Sequence, residues 1–190
     1  AALLLSEWAH GSDLAANQTT AVAEQGGYRL TGEKRLINGV RRAGVLTVLA
    51  RTSPPSGPLG AASGMSLFLL EPGADGLDWL PRHRTVPAPA ADIGGVRFDT
   101  WVPASARLGP EGAGFGVVHR ALSMSRGGIS AFAAGTSNRA WTLASAYAYE
   151  RVLYGGPIVE LDPIADHLVR LAAFDRLAMC VSLRAMELLN

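Results

Sequence analysis

Cysteine is nearly absent from this sequence of 190 residues, in which Cys180 is the only one. A single thiol excludes an intrachain disulfide and a zinc site built on several thiolates. We predict that Cys180 is a small buried side chain within an apolar helix. No apolar run reaches the ~18 residues of a membrane span, and no signal peptide is recognisable. We therefore expect a cytoplasmic protein that does not enter a membrane.

An excess of charge of either sign is also missing. The 17 lysine and arginine residues against 16 aspartate and glutamate residues give a formal net charge of +1, and 48% of the chain is hydrophobic. This balance argues against a nucleic-acid-binding protein, and the apolar content argues against disorder. Lysine is as scarce as cysteine, since Lys34 is the only one. The four histidines are scattered without metal-ligand spacing, so we expect no metal site.

Strand and turn signals dominate the chain before about residue 112. Short apolar or β-branched segments bounded by Gly and Pro predict strands at residues 28–30, 45–50 and 65–70, and a last strand made of residues 95–98 and 101–102. Residues 53–64 and 87–91 are rich in Pro, Gly, Ser or Ala and are predicted to be surface loops. Several short strands at this spacing are typical of a β-sandwich or barrel.

After Gly114 the hydrophobic period becomes helical. We predict one helix from Phe115 to about Arg151 and a second from near Pro163 to the end of the sequence. The first helix carries an apolar stripe made of Val118, Leu122, Ile129, Phe132, Ala133, Ala140, Leu143 and Tyr147. Two long helices joined by a short loop are expected to pack antiparallel, and further helices are expected to cover the apolar surface that remains. The fold class predicted is α+β, with a β-domain over residues 1–112 and a helix pair over residues 113–190.

Four segments carry motifs that occur together in one family. Residues 6–13 read SEWAHGSD, and residues 28–37 read YRLTGEKRLI. Residues 98–103 read FDTWVP and lead into LGPEGAGF at residues 108–115, and residues 147–155 read YAYERVLYG. In this order and at this spacing the segments resemble the acyl-CoA dehydrogenase family. The resemblance implies that the chain is the middle β-domain and the first two helices of a four-helix bundle, present as a fragment or as one subunit.

The resemblance implies FAD as the cofactor. In the family, the first segment lines the flavin ring and the pyrophosphate with backbone and hydroxyl groups. Here that segment is residues 3–12, with Leu5, Ser6, Gly11 and Ser12 as the matching positions. A Gly-Ser turn presents backbone N–H donors to a flavin edge or phosphate without a side chain in the way.

A second group of cofactor residues follows from the same resemblance. Leu36, Ile37 and Asn38 stand where many relatives have Trp-Ile-Thr, whose Trp packs on the flavin and whose Thr bonds the ring. Leu36 can still cover the ring with apolar surface, and Asn38 can still donate and accept hydrogen bonds.

Three positions between the two predicted helices lead to opposite predictions about FAD binding. Arg151 matches an arginine that reaches the FAD of a neighbouring subunit, and a guanidinium group suits a pyrophosphate. Leu161 and Asp162 replace a His-Gln pair that touches FAD in relatives. A carboxylate near a pyrophosphate repels it unless it is screened, so Asp162 indicates altered cofactor binding or its loss.

The substrate implied by the resemblance is acyl-CoA or another acyl thioester. Ser12, Ser123 and Arg126 match positions near that substrate, and Ser123 replaces an Asp of some relatives. In a subset of the family the residue before this arginine is the catalytic glutamate, but here it is Ser125, which cannot act as a carboxylate base. We therefore predict no catalytic residue in this chain, and the base must come from other residues or from a partner chain.

The function implied is an FAD-dependent oxidoreductase that desaturates an acyl thioester between its α and β carbons, as a homodimer or homotetramer. A flavin monooxygenase or oxidase of the same fold is an alternative, because a missing carboxylate base would suit it. A non-catalytic partner subunit is another, favoured by the replacements at Leu36, Leu161 and Asp162.

Overall fold

A β-rich unit is followed by two long helices, which confirms the α+β fold class. The structure, a computed structural model, describes residues 1–57, 60–86 and 90–189, the last without its side chain. Contacts divide the chain into two units, Ala1–Val118 and His119–Asn190. Within the described residues, no helix is long and apolar enough to cross a membrane.

Eight strands form the sheet of the first unit as far as the structure describes it. They are β1 (Ala2–Leu4), β2 (Thr20–Glu24), β3 (Gly27–Asn38), β4 (Leu46–Arg51), β5 (Met65–Leu70), β6 (Leu77–His83), β7 (Ile93–Pro103) and β8 (Arg107–Leu108). The order is β6-β7-β3-β2-β4-β5-β8, with β1 parallel to β4. Short 3₁₀ turns lie at Leu14–Ala16, Gly60–Ala62 and Ala104–Ala106.

The sheet folds over at its weakest junction. Strands β2 and β4 meet at one residue pair, Thr20 with Arg51, whereas β3 and β7 pair along ten positions. This junction lets the two halves of the sheet share one core, drawn from Tyr28, Leu30, Val96, Phe98 and Val102 on one half and Leu46, Val48, Ala50, Phe68 and Leu70 on the other. The predicted sandwich-like packing follows from that shared core.

The observed strands match the predicted ones where apolar residues are dense. They are longer than predicted where charged residues alternate with apolar ones. Strand β5 has the predicted bounds. Strand β3 is twelve residues long, whereas only residues 28–30 were predicted, because charged and polar side chains on its outward positions interrupt the apolar pattern. The sequence does not predict β1, β2, β6 or β8. In the loop predicted at residues 53–64, residues 58 and 59 lie outside the described residues, as do residues 87–89 of the loop predicted at 87–91.

Strand β3 contains a β-bulge that reverses which side chains face the core. Lys34 pairs with Val96 and Ile37 pairs with Gly94, so one extra residue is accommodated in β3. Leu36 adopts φ 58°, a left-handed backbone conformation that costs a non-glycine residue roughly 1–2 kcal/mol. Side chains alternate along a strand, so even-numbered residues of β3 face the core up to Lys34. After the extra residue of the bulge, the odd-numbered Ile37 faces the core and Leu36 is left half exposed.

The only lysine of the chain is completely buried at the last regular position before this bulge. Its Nζ donates to the Leu5 carbonyl at 3.0 Å, to Glu7 Oε1 at 3.0 Å and to Asn17 Oδ1 at 2.8 Å. All three hydrogens of the ammonium group are therefore used. Burial lowers the pKa of Lys34 to about 8, against the charge and hydrogen bond of Glu7, which raise it.

The Glu7 carboxylate completes this buried network. It accepts the Thr19 hydroxyl at 2.6 Å and the backbone N–H groups of Thr19 at 2.9 Å and Gln18 at 2.8 Å, in addition to Lys34. Burial raises the pKa of Glu7, but the Thr19 hydroxyl, the Gln18 N–H and the Lys34 charge together hold it below its usual value. The network joins three separate stretches of chain around one buried ion pair.

The second unit contains most of α1 (Gly114–Glu150) and α2 (Asp162–Leu189), whose bounds confirm the predicted helices. Between them, β9 (Val152–Leu153) and β10 (Gly156–Pro157) form a short antiparallel hairpin followed by a 3₁₀ turn at Ile158–Glu160. Glycine is required at the start of α1, because a Cβ on Gly114 would lie 2.6 Å from the Ser66 carbonyl carbon.

Small and polar residues form the seam between α1 and α2. Ser130 bonds Ser182 at 3.2 Å and Asn138 donates to Asp175 at 3.2 Å, which makes the two helices antiparallel as predicted. Asp175 is buried, and its Oδ1 has no partner in the described part of the chain. A buried carboxylate with one unpaired oxygen makes this seam weaker than the apolar core of the first unit.

The predicted apolar stripe of α1 is not what packs on α2. Ile129, Phe132, Leu143 and Tyr147 are all more than half exposed. The prediction that Cys180 is buried is wrong for this chain, because Cys180 is exposed on α2. Both results have the same physical reason: each helix carries apolar residues on more than one face, and the partner helix covers only the face of small residues.

Replacing Glu7 with Ala is expected to lower the free energy of unfolding by about 3–5 kcal/mol, because it leaves the Lys34 ammonium buried without its counter-charge. Urea unfolding of the full-length protein at pH 7 measures the change. Glu24→Ala removes an exposed carboxylate from β2 and should stay within about 0.5 kcal/mol of the wild type. If Glu7→Ala lowers the free energy of unfolding no more than Glu24→Ala does, the proposed contribution of Glu7 to stability is contradicted.

Stability is also expected to fall in acid through Glu7. Because the pKa of Glu7 in the folded protein is below its ordinary value of 4.5, the unfolded chain binds the proton first as the pH drops. The stability that Glu7 contributes is therefore present above about pH 4.5 and is lost as the pH falls through the folded pKa. Unfolding midpoints measured from pH 7 to pH 3 should fall less steeply in Glu7→Gln than in Glu24→Gln; equal slopes would refute the assignment.

Candidate functional site

Of the predicted cofactor residues in the first unit, Ser6 lies against the β3 bulge that contains Leu36 and Ile37. The Ser6 carbonyl accepts the Arg35 N–H at 2.9 Å, so Ser6 lies beside the backbone of Leu36. The side chains of Leu5 and Ile37 are buried, at 7% and 5% exposure, so these two residues offer only their backbone to a ligand. Leu36, at 52% exposure, offers its side chain.

A tight turn carries the chain from Ser6 to the Gly-Ser pair. Glu7 and His10 exchange two backbone hydrogen bonds, of 3.1 and 3.2 Å, which close the turn. Gly11 and Ser12 follow it on the surface, and their N–H groups donate to no acceptor in the part of the chain that the structure describes. A Cβ placed on Gly11 would meet nothing within 4 Å. Open backbone donors of this kind suit a phosphate or the polar edge of a flavin.

These features fit the chemistry of a flavin nucleotide. The site combines the free donors of residues 11–12, the Ser6 segment and the apolar surface of Leu36, whose ring-covering role the sequence predicts. Asn38 lies two residues past Leu36 at the end of β3, paired with Ile93, and it is exposed. The residues of the first unit could therefore hold both a planar ring and a polar chain.

An aromatic and cationic cluster beside the turn was not predicted from the sequence. The Trp8 ring is 72% exposed, with the Arg35 guanidinium 5.2 Å from its centroid and the His83 ring stacked at 6.4 Å. Residues 6–13 resemble the motif T-E-P-x-x-G-S-D of the acyl-CoA dehydrogenase family, and Trp8 stands at its proline position. The tryptophan at this position is the one sequence feature that points to the cluster. Its partners Arg35 and His83 come from β3 and β6, which only the fold brings to the turn.

The buried network under the site was missed as well. Lys34 has the same strand parity as Tyr28 and Leu30, which are both core residues, so its inward position was available from the period of β3. Lysine is usually a surface residue, so the period of β3 by itself does not predict a buried lysine.

The predicted residues of the helical unit sit on exposed positions. Arg151 follows α1; its N–H donates to the Tyr147 carbonyl at 2.9 Å and its own carbonyl accepts the Ile158 N–H at 2.8 Å, so its backbone is fixed and its side chain is free to reach outward. Asp162 is the first residue of α2, where a negative charge stabilises the helix through its dipole. This gives Asp162 a local structural role besides the predicted one.

The predicted substrate residues lie on the first half of α1, apart from Ser12 in the other unit. The hydroxyls of Ser123 and Ser125 bond back to the helix carbonyls of His119 and Leu122, at 2.9 and 3.0 Å. Arg126 is exposed. Ser125 offers neither a carboxylate nor a free hydroxyl, which agrees with the prediction that it is not a base.

Two family models match successive parts of the chain. Residues 2–101 match the model of the acyl-CoA dehydrogenase middle domain, and residues 112–190 match the model of the acyl-CoA dehydrogenase C-terminal domain. An acryloyl-CoA reductase (NADH) of Anaerotignum propionicum is 34% identical over 90% of this chain and 43% of its own length. An L-prolyl-[peptidyl-carrier protein] dehydrogenase of a Serratia species is 32% identical over 84% of this chain and 40% of its own length.

A solved structure agrees with these matches. The FAD complex of PigA superposes with a TM-score of 0.90 at 28% sequence identity, over 97% of this chain and 48% of PigA. The chain thus spans less than half the length of the relatives that it matches. Since one domain model alone covers more than half of the 190 residues, the chain belongs to the acyl-CoA dehydrogenase family.

Proposed function

We propose that the whole protein is an FAD-dependent oxidoreductase that removes hydrogen from the α and β carbons of an acyl thioester. Membership of the family supports this reaction. The observation that carries it is the arrangement beside the β3 bulge: Ser6 is bonded to Arg35 next to the half-exposed Leu36, and the Glu7–His10 turn leads from Ser6 to Gly11 and Ser12, whose N–H groups have no acceptor among the described residues. When bound, FAD supplies the hydride acceptor.

The residues of the β-domain bind and orient the cofactor. The Ser6 segment and the N–H groups of Gly11 and Ser12 donate to its polar atoms, and Leu36 covers the ring and excludes water from one side. Arg151, with its backbone held by Tyr147 and Ile158, would offer its exposed guanidinium group to the FAD pyrophosphate bound in a neighbouring subunit. Contribution from a neighbour requires a homodimer or homotetramer, which we propose as the working assembly in the cytoplasm.

The substrate side is built on α1. Arg126 offers an exposed positive charge for the acyl thioester or its carrier, near Ser123. A proton must leave the α carbon, and Ser125 cannot take it, because its hydroxyl is bound to the Leu122 carbonyl and is far too weak a base. The base is therefore supplied by residues outside these 190 or by a partner chain.

The carrier of the acyl group has two candidates. The match to the acryloyl-CoA reductase supports coenzyme A, and the match to the L-prolyl-[peptidyl-carrier protein] dehydrogenase supports a carrier protein. We propose coenzyme A first, because the family models that cover both units carry that name.

The visible absorption spectrum of the purified full-length protein tests the cofactor. Oxidised-flavin bands, with FAD released on denaturation, are expected. Turnover of acyl-CoA and of carrier-bound acyl thioesters with a dye acceptor then identifies the substrate. A colourless protein that does not take up added FAD would refute the proposal and favour a non-catalytic partner subunit.

Replacing Leu36 with Gly is expected to change stability and FAD binding in opposite directions. Glycine adopts φ 58° without strain, so the free energy of unfolding of the FAD-free protein should rise by about 1 kcal/mol. Loss of the apolar cover should weaken FAD binding several-fold, as measured by flavin fluorescence titration. Val22→Ala trims a similarly exposed apolar side chain on β2 and should leave FAD binding unchanged. FAD binding to Leu36→Gly equal to that of the wild type would show that Leu36 does not cover the ring.

Replacing Arg151 with Gln is expected to weaken FAD binding about tenfold or more, because a charged fork facing a pyrophosphate is lost. The unfolding midpoint of the FAD-free protein should not change, since the Arg151 side chain is exposed. Arg170→Gln, on the exposed surface of α2 next to Asp166, is the matched control. Equal FAD affinities in the two variants would contradict the assignment of Arg151.

A further inference from the structure

The segment proposed to face the flavin, residues 5–7, pairs with no strand in the described part of the chain. The pairing of β1 with β4 ends at Leu4, opposite Val48. Beyond that point, residues 5–7 are held to β3 by three successive contacts: Lys34 Nζ to the Leu5 carbonyl, the Arg35 N–H to the Ser6 carbonyl, and Lys34 Nζ to Glu7 Oε1. Two adjacent residues of β3 thus hold three adjacent residues of the segment.

The same two residues stand directly before the bulge. Lys34 is the last residue of β3 in regular register with β7, and Leu36, with its left-handed backbone, follows one residue after Arg35. Gly95, opposite this point on β7, admits no side chain, because a Cβ there would lie 2.6 Å from the Lys34 carbonyl oxygen. The position of Lys34 is therefore fixed from both sides, by β7 and by the segment it holds.

A lysine is a costly residue for this buried position. An apolar side chain would satisfy the inward parity of β3 without removing a charge from water. It would not donate to the Leu5 carbonyl, the bond that holds the segment, or to Asn17, whose side-chain amide donates to the same carbonyl at 3.4 Å. The cost of burying the ammonium group is therefore explained by what it holds in place.

We propose that Lys34 is a positioning residue for flavin binding, which keeps residues 5–7 and the bulge at Leu36 in the one arrangement that grips the cofactor. This rests on the proposed function, since it presupposes that FAD binds at the bulge. Lys34 itself, being completely buried, does not touch the cofactor.

Two variants separate positioning from general stabilisation. Glu7→Gln removes the counter-charge but leaves the Lys34 donors to Leu5 and Asn17. The double variant Lys34→Met with Glu7→Gln neutralises both members of the pair and removes those donors. Val102→Ala, at the far end of β7 opposite Tyr28, provides a destabilised control with an intact network.

The experiment is an FAD titration of the full-length apoprotein at 10 °C, a temperature chosen to keep destabilised variants folded, read by flavin fluorescence and by visible circular dichroism of the bound flavin. We expect the double variant to bind FAD at least about tenfold more weakly than the wild type, with an altered circular dichroism band. Glu7→Gln and Val102→Ala should bind within about twofold of the wild type despite lower unfolding midpoints.

Three outcomes have separate meanings. Failure of the wild type to bind FAD refutes the proposed function itself. Wild-type affinity and spectrum in the double variant overturn the positioning role of Lys34 while leaving the proposed function intact. If the double variant does not fold, the single variants decide: FAD affinity that falls in step with stability in Glu7→Gln and Val102→Ala alike also overturns the role.

Discussion

The local architecture of the first unit depends on the buried ion pair of Lys34 and Glu7. It lies at the single point where the N-terminal segment, the Asn17–Thr19 stretch and the longest strand meet. Each charge is surrounded by further hydrogen-bond partners, which is the condition under which a buried ion pair is tolerated. An ion pair so placed specifies an arrangement more than it adds stability.

The bulge of β3 translates that arrangement into a surface. One extra residue exchanges the inward and outward sides of the strand, so that Ile37 enters the core and Leu36 leaves it. A left-handed leucine is strained, and the pairing of β3 with β7 on both sides of the bulge holds it in place. The strained Leu36 follows two residues after the buried Lys34, and Lys34 also holds Glu7, where the exposed turn begins.

The helical unit has a different physical character. Its seam is made of small and polar side chains, and its large apolar residues, such as Phe132 and Phe174, are exposed. Exposed apolar residues on both helices are typical of an interaction surface. This agrees with a chain that spans less than half the length of its relatives.

The sequence by itself determined the family, the α+β class, the bounds of both helices and the apolar strand β5, because dense periodic patterns and four ordered motifs do not depend on distant contacts. It also named Leu5, Ser6 and Leu36 as neighbours of one cofactor, though only through resemblance. The tertiary structure alone decided that Lys34 is buried, that Leu36 is left-handed, and that small residues rather than Ile129 or Phe132 face α2. Each of these depends on partners far away in the chain: β7 and residues 5–7 define the bulge, and the position of α2 selects one face of α1 among several that are apolar.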